Sequence, residues 1–194
     1  MKYVGRKLFH LIGGIGLLSI YFIAGRNRAL GLYGVLVIIV LLGEIARLKM
    51  PAWNQYLYGH FKSFVRENEQ HRLTGTVPYI LGVGLSLYAF SPEVAAAAIC
   101  FLAFGDVAAT TVGEAYGRTR IGKKSLEGTA AFLIAAICSG FLLFSLGLEF
   151  KVWVMILGAL VAAALELLPI PVNDNFIIPV LAGAAMELML RWTR

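Results

Sequence analysis

Two stretches, 30–43 and 153–165, are apolar on every face of the helix each would form, and this restricts the chain more than any other feature. A helix that folds in water keeps one polar side; a helix bathed in lipid needs none. Composition agrees, since 59% of the 194 residues are hydrophobic, only 14% are charged and mean hydropathy is +0.79, far from the balance of soluble domains. The sequence predicts an all-α fold, a polytopic transmembrane helical bundle forming a single domain over 1–194. Runs able to cross roughly 30 Å of hydrocarbon lie near 3–23, 29–48, 76–91, 93–116, 127–147, 151–168 and 174–190, about seven spans. The first is read as a helix rather than a cleaved leader, because no small-residue cleavage site follows it and His10 and Gly13-Gly14 interrupt it. Between the second and third spans, 49–75 mixes Trp53, Tyr56, Tyr58 and Phe61 with Lys62, Arg66, Glu67, Glu69 and Arg72, the pattern of a cytoplasmic interfacial helix.

With seven spans the connections alternate between two sides, and twelve of the seventeen Lys and Arg residues fall on one of them. The excess of positive charge marks that side as cytoplasmic. It carries the amino terminus, the 49–75 region, the 117–126 loop and the Pro169–Asn173 turn, and leaves the carboxyl terminus outside, as in a multi-pass protein of the cell membrane. The net charge of +6 is thereby explained by topology. No basic stripe interleaved with exposed aromatics points to nucleic acid. Cys100 and Cys138 have no CxxC spacing and sit in apolar runs, so neither a disulfide framework nor a zinc site is expected.

Asp106 stands inside the apolar run from Val94 to Val112. An Asp at the centre of a spanning helix costs roughly 2.5 to 3.5 kcal/mol on insertion scales, and it usually faces a protein-lined, watered cavity or an ion. Downstream, Gly117 leads into a basic, glycine-bearing loop that ends in Gly122-Lys123-Lys124-Ser125-Leu126-Glu127-Gly128, just before a helix. Lysine ammoniums, a hydroxyl and the amides of a helix start together suit phosphate. The spacing is not that of a P-loop, and a loop that only sets orientation reads the same way. Arg6 and His10 share one helical face; each also reads as a topology charge or an interfacial residue. Glu44 and Arg47, three apart, suit either a site or a pair at a helix end. Asn173-Asp174-Asn175 offers oxygen ligands at the start of the last span, or a helix N-cap.

In this order the residues resemble the CTP-dependent polyprenol kinase family, which includes dolichol kinase, phytol kinase and CTP-dependent diacylglycerol kinase. The resemblance rests on Arg6-Lys7 through His10, Leu73-Thr74-Gly75, Gly105-Asp106 with Ala108-Ala109, Gly113 to Gly117, Lys123-Lys124-Ser125-Leu126-Glu127-Gly128, and Glu166-Leu-Leu-Pro169 with Asp174-Asn175 and Pro179. It implies an integral-membrane kinase that moves the γ-phosphoryl group of CTP, with Mg2+ or another divalent cation, to the hydroxyl of a lipid alcohol: a polyprenol, dolichol, another isoprenoid alcohol or diacylglycerol. The expected roles follow. Asp106, Lys124 and His10 are catalytic; Lys123, Lys124, Ser125, Gly128, Arg6 and Gly117 bind nucleotide; Asp106 and Asp174 hold the metal; Asn175 and Glu44 meet the substrate. Asn173-Asp174 stands where a pair of acidic residues is common, and Glu114 where a basic residue is common.

One geometric demand accompanies these roles. Asp106 and Gly117 are eleven residues apart, roughly 16 Å along an unbroken helix, so either the helix breaks near Gly105 or Gly113 or the 117–126 loop folds back. Two other functions use similar features. A membrane cytidylyltransferase attaches CMP to a lipid phosphate and releases pyrophosphate, and a small-anion or lipid transporter uses broken helices and intramembrane charge.

Overall fold

A computed structural model describes residues 4–62, 64, 65 and 69–193. Eight α-helices occur among them: α1 (Val4–Ala24), α2 (Arg26–Lys49), α3 (Pro51–His60), α4 (Thr76–Ala89), α5 (Pro92–Tyr116), α6 (Leu126–Ser145), α7 (Val152–Leu167) and α8 (Asp174–Trp192), with a two-residue hairpin, β1 (Arg120–Ile121) and β2 (Lys124–Ser125), between α5 and α6. Local chemistry sets the boundaries. Gly25, at a φ of 81°, makes the left-handed turn from α1 into α2 that a Cβ would disfavour. Pro51 opens α3 and Pro92 opens α5, where the missing amide would have had no partner. Ser125 accepts a hydrogen bond from the Gly128 amide at the start of α6, and Asn173 accepts one from the Asn175 amide at the start of α8, both side-chain N-caps.

Five of these helices are long and apolar enough to cross a membrane, namely α1, α2, α5, α6 and α8; α4 and α7 are apolar but shorter, at 14 and 16 residues. The chain is thus a multi-pass, all-helical membrane protein. Exposed apolar side chains such as Ile38, Ile39 and Leu42 on α2 are the surface that lipid covers, because a bilayer gives no reason to hide them.

α5 is the central helix. Every residue from Val94 to Ala103 is buried, and α1, α4, α6, α7 and α8 all pack on it. The run Ala95 to Ala98 and Gly105 keep its outline thin, so that neighbouring backbones approach closely. A Cβ placed at Gly105 would lie 2.5 Å from the buried ring of Phe132 on α6. Gly105→Ala is therefore expected to lower stability by about 1–3 kcal/mol, as overpacking does, read as an earlier unfolding transition in detergent. Gly14 serves the same purpose on α1, where a Cβ would meet Ala103 at 3.1 Å and the Tyr79 hydroxyl at 2.8 Å.

One alternative is decided and one expectation is corrected. α5 is continuous from Pro92 to Tyr116, so of the two ways to bring the loop to Asp106 it is the turning back of the 117–126 loop that occurs, and not a break near Gly105 or Gly113. β1 pairs antiparallel with β2, Leu126 donates its amide to the Thr119 carbonyl, and α6 then runs up against α5 with Gly128 beside the Ala109 carbonyl and Ser125 beside Gly113. The stretch 49–75 is not one helix. α3 stops at His60, and the described residues up to Gly75 are turns and extended chain, except for a short tight-helical turn at Glu69. Arg66 and Glu67, which contributed to the helix reading, lie outside the described residues, as do Lys2 and Arg194.

Helix ends are fastened into two layers. At one end Arg6 meets Glu69, Arg47 meets the Arg72 carbonyl, Lys124 meets Asp174 and Asn175 meets the Gly75 carbonyl. At the other, Arg26 donates to the Tyr88 carbonyl, Ser91 to Glu187 and Lys151 to the Thr193 carbonyl.

Candidate active site

The first of these ends gathers the residues that carry chemistry. Asp106 lies on α5 with its side chain 18% exposed, and its Oδ2 is 3.3 Å from Nδ1 of His10, whose side chain is 2% exposed. The approach lies off the line of a hydrogen bond, and Nδ1 is a buried nitrogen without a hydrogen-bond partner in the protein. The opposite ring nitrogen, Nε2, is 3.4 Å from Nδ2 of Asn175, which also donates to the Gly75 carbonyl at 3.0 Å. The Tyr79 ring stacks on His10 with centroids 4.7 Å apart and planes at 6°, and its hydroxyl donates to the His10 carbonyl. Four helices, α1, α4, α5 and α8, thus meet around one imidazole.

Two basic groups flank Asp106 within electrostatic reach, Lys124 and Arg6. Lys124 is brought up by the hairpin and donates to Glu166 at 2.9 Å and to Asp174 at 2.8 Å. Burial opposes its charge, yet Asp174 and Glu166 outweigh that and hold the ammonium above its ordinary pKa of 10.5, so it is cationic at every physiological pH. Glu166, 4% exposed near the end of α7, also accepts from the Thr129 hydroxyl at 2.7 Å. Arg6 donates one nitrogen to both oxygens of Glu69, at 2.8 and 3.0 Å, and Glu69 accepts the Gly75 amide as well.

Behind Arg6, Arg47 is 4% exposed. It pairs with Glu44 and donates to the Asn54 side chain and to the carbonyls of Glu69, Gln70 and Arg72, while Glu44 accepts the Thr74 amide. One guanidinium therefore pins the irregular chain leading to Gly75. Arg47→Met leaves those acceptors without their shared donor, the kind of loss that costs about 1–3 kcal/mol per buried group. The expected result is faster amide exchange over 69–75 with exchange in α5 unchanged; equal protection in both would remove the pinning role.

The structure brings Asp106, His10, Arg6, Lys124, Asp174 and Asn175 together and gives others a second use. Glu44 serves the Arg47 pin. The Ser125 oxygen caps α6, and Gly117 and Gly128 are close-approach positions, a Cβ on Gly128 meeting the Ala109 carbonyl at 2.8 Å. Lys123 is exposed at the hairpin turn. Four residues absent from the sequence-derived site belong to this constellation: Glu166, Glu69, Lys7 and Tyr79. Glu166 shares the signal that marked Asp106, a carboxylate at the end of an apolar run. Lys7, beside Arg6, is 7% exposed and reaches Thr111 and Glu114 at 3.5 Å. Glu69 was hidden in a mixed-charge segment, and nothing in the sequence singles out Tyr79.

A cavity of about 550 Å³ lies at the opposite end, between Ser91, Glu93, Phe150 and Lys151. It contains none of the residues above, so the chemistry is assigned to the Asp106 end.

No family model matches the chain, and no solved structure matches it. Among curated proteins, the CTP-dependent diacylglycerol kinase 1 of Eremothecium gossypii is 31% identical over 217 residues, taking in 98% of this chain and 68% of the relative. The chain belongs to the CTP-dependent lipid kinase family. The kinases of the same name from Schizosaccharomyces pombe and Saccharomyces cerevisiae are 27% and 26% identical, over 76% and 97% of this chain and 75% and 73% of theirs. A CTP-dependent lipid kinase is a phosphotransferase with an alcohol acceptor, and CTP is its co-substrate.

Such a kinase needs cations on the triphosphate, and a divalent ion is the usual companion of a nucleotide. Among the described residues no three His, Cys, Asp or Glu side chains form a cage for a metal ion. Magnesium that arrives on a nucleotide takes one or two carboxylates and leaves its other positions to phosphate and water. Asp106 and Asp174, 18% and 32% exposed in their side chains, fit that open arrangement.

Proposed function

We propose that this CTP-dependent lipid kinase phosphorylates a membrane-resident alcohol, with diacylglycerol as the first acceptor to test because that is what its curated relatives are named for. The observation that carries the reading is the convergence of Asp106 and the bare Nδ1 of His10 beneath Lys124 and Arg6. An acid beside cations, at one end of a greasy bundle, is where a polar nucleotide and an oily alcohol can meet.

In this reading Lys124 and Arg6 stabilise charge on the transferring phosphoryl group, with Lys123 supplying further positive charge at the rim. Little covalent chemistry is asked of the protein, since positioning and electrostatics carry phosphoryl transfer. Asp106 and Asp174 would hold the divalent ion, which when bound neutralises the triphosphate oxygens. Asp106 also accepts the proton of the attacking hydroxyl, and His10 orients that hydroxyl. The site faces the cytoplasm, where the positive charge is concentrated and CTP is found, and the carboxyl terminus lies outside the cell membrane.

The test is purified protein in lipid nanodiscs, CTP and a panel of diacylglycerol, farnesol, geranylgeraniol, long polyprenols and phytol. Phosphorylation of diacylglycerol at a kcat/KM at least about tenfold above the isoprenoids is expected. Preference for an isoprenoid alcohol moves the acceptor assignment to that class. Transfer to none of them refutes the reading.

A further inference from the structure

We infer that Asn175 is a positioning residue: it fixes His10 in the tautomer with its proton on Nδ1, so that His10 and Asp106 form a donor and acceptor pair that seats the hydroxyl of the lipid acceptor. This rests on the site assigned under Proposed function and specifies how that site works.

The argument runs from hydrogen-bond directions. An amide side chain has an oxygen end and a nitrogen end, and which faces where is settled by partners. Nδ2 of Asn175 lies 3.0 Å from the Gly75 carbonyl oxygen, an acceptor only, so the nitrogen end is fixed there. One of its two hydrogens goes to Gly75 and the other points to Nε2 of His10 at 3.4 Å. Nε2 must then be the unprotonated nitrogen, and a neutral imidazole carries its single proton on Nδ1. Asn175 is itself held, being 3% exposed with its backbone amide donated to Asn173. The ring has little freedom to turn away, because Tyr79 stacks flat on it and bonds to its carbonyl.

The Nδ1 proton therefore lies on the side of the ring that Asp106 approaches, but off the line to Oδ2. Nδ1 is 3.3 Å from Oδ2 yet is buried with no hydrogen-bond partner in the protein, and a buried donor left in that condition calls for an explanation. A hydroxyl satisfies both groups at once: its oxygen accepts from Nδ1 and its hydrogen is donated to Oδ2. That geometry turns an oxygen lone pair outward. In the transfer, the hydroxyl oxygen bonds to the γ-phosphorus of CTP, the bond from that phosphorus to the β–γ bridging oxygen breaks, CDP leaves with the bridging oxygen, and the proton passes to Asp106. The reversed tautomer would present a lone pair from Nδ1 beside a carboxylate, leaving the hydroxyl two acceptors and no donor.

The test uses full-length protein labelled with [15N]histidine in nanodiscs, where 15N shifts separate protonated from bare ring nitrogens. Only three histidines are present, and His10→Gln identifies the signal. In the unsubstituted protein His10 is expected to be protonated at Nδ1 and bare at Nε2. Asn175→Asp supplies an acceptor in place of a donor and is expected to invert that pattern, lower kcat about a hundredfold and leave KM for CTP within about twofold; a wrong tautomer in a hydrolase triad costs about 10⁴ in kcat. Asn175→Ala, which only removes the donor, is expected to give mixed tautomers and a smaller fall in kcat. His10 protonated at Nε2 in the unsubstituted protein overturns the inference, as does a wild-type kcat in both Asn175 variants. Full turnover by His10→Gln instead overturns the hydroxyl seat itself, and with it the role given to His10 under Proposed function.

Discussion

Asp106→Asn is expected to lower turnover by at least about a hundredfold while leaving the protein folded, since loss of a positioned acid or base typically costs 10²–10⁴. The substitution keeps shape and removes charge. Asp106 sits in the part of α5 where burial has relaxed to 18% side-chain exposure, and the packing that holds α5 lies one to three turns away, at Val94 to Ala103. Asn at this position can still fill the space beside His10 but can neither take a proton nor offer a hard anionic ligand. Activity is measured as CDP release, and folding by size-exclusion profile and thermal transition. More than a tenth of normal turnover in well-folded protein would take Asp106 out of the site.

Lys124→Met is expected to fail twice, in catalysis and in folding. Removing the ammonium takes away the cation proposed to stabilise the transferring phosphoryl group, and it also leaves Glu166, 5% exposed in its side chain, facing Asp174 with no positive charge between them. Breaking a buried ion pair from one side costs about 3–5 kcal/mol; because the Lys124 side chain is 30% exposed, a discounted figure of about 2 kcal/mol is the expectation. The paired variant Lys124→Met/Glu166→Gln separates the two effects. With the carboxylate neutralised, stability is expected to return to within about 0.5 kcal/mol of the starting protein, while turnover stays lost. A double variant that regains activity would assign Lys124 a purely structural task. The sign of its titration agrees with a permanent cation: because the folded-state pKa is raised above 10.5, the contribution of Lys124 is complete below that pH and fades only at higher pH.

The fold was legible where periodicity has no competitor. Stretches apolar all round admit one reading, and α2, α5, α6 and α8 begin and end within three residues of the sequence-based limits. The region after Met50 was not legible in this way. Its aromatics and charges suit an interfacial helix, but the chain past His60 is held by the side chain of Arg47 and the carboxylate of Glu69 instead of by its own helical bonds, and contacts between distant residues leave no periodic trace. Asp106 and Glu166 show the same divide in the site. Each is a carboxylate beside apolar residues, a signal that singled out Asp106 and that Glu166 shares without having been placed in the site; that Glu166 holds Lys124 while Asp106 faces His10 follows only from the hairpin that lifts Lys124 alongside α5. In the sequence Asn175 reads as part of a helix cap and, by the resemblance, as a substrate residue; its side chain donates to Gly75, a hundred residues away.

CTP labelled in turn at the γ- and the α-phosphate, given to purified protein with diacylglycerol and, in a parallel reaction, with phosphatidic acid, tests the central claim most directly. Label from the γ-position in the lipid product, with CDP released in equal amount and none of the α-label transferred, is the predicted result. Label from the α-position in the lipid, with pyrophosphate released, would contradict it.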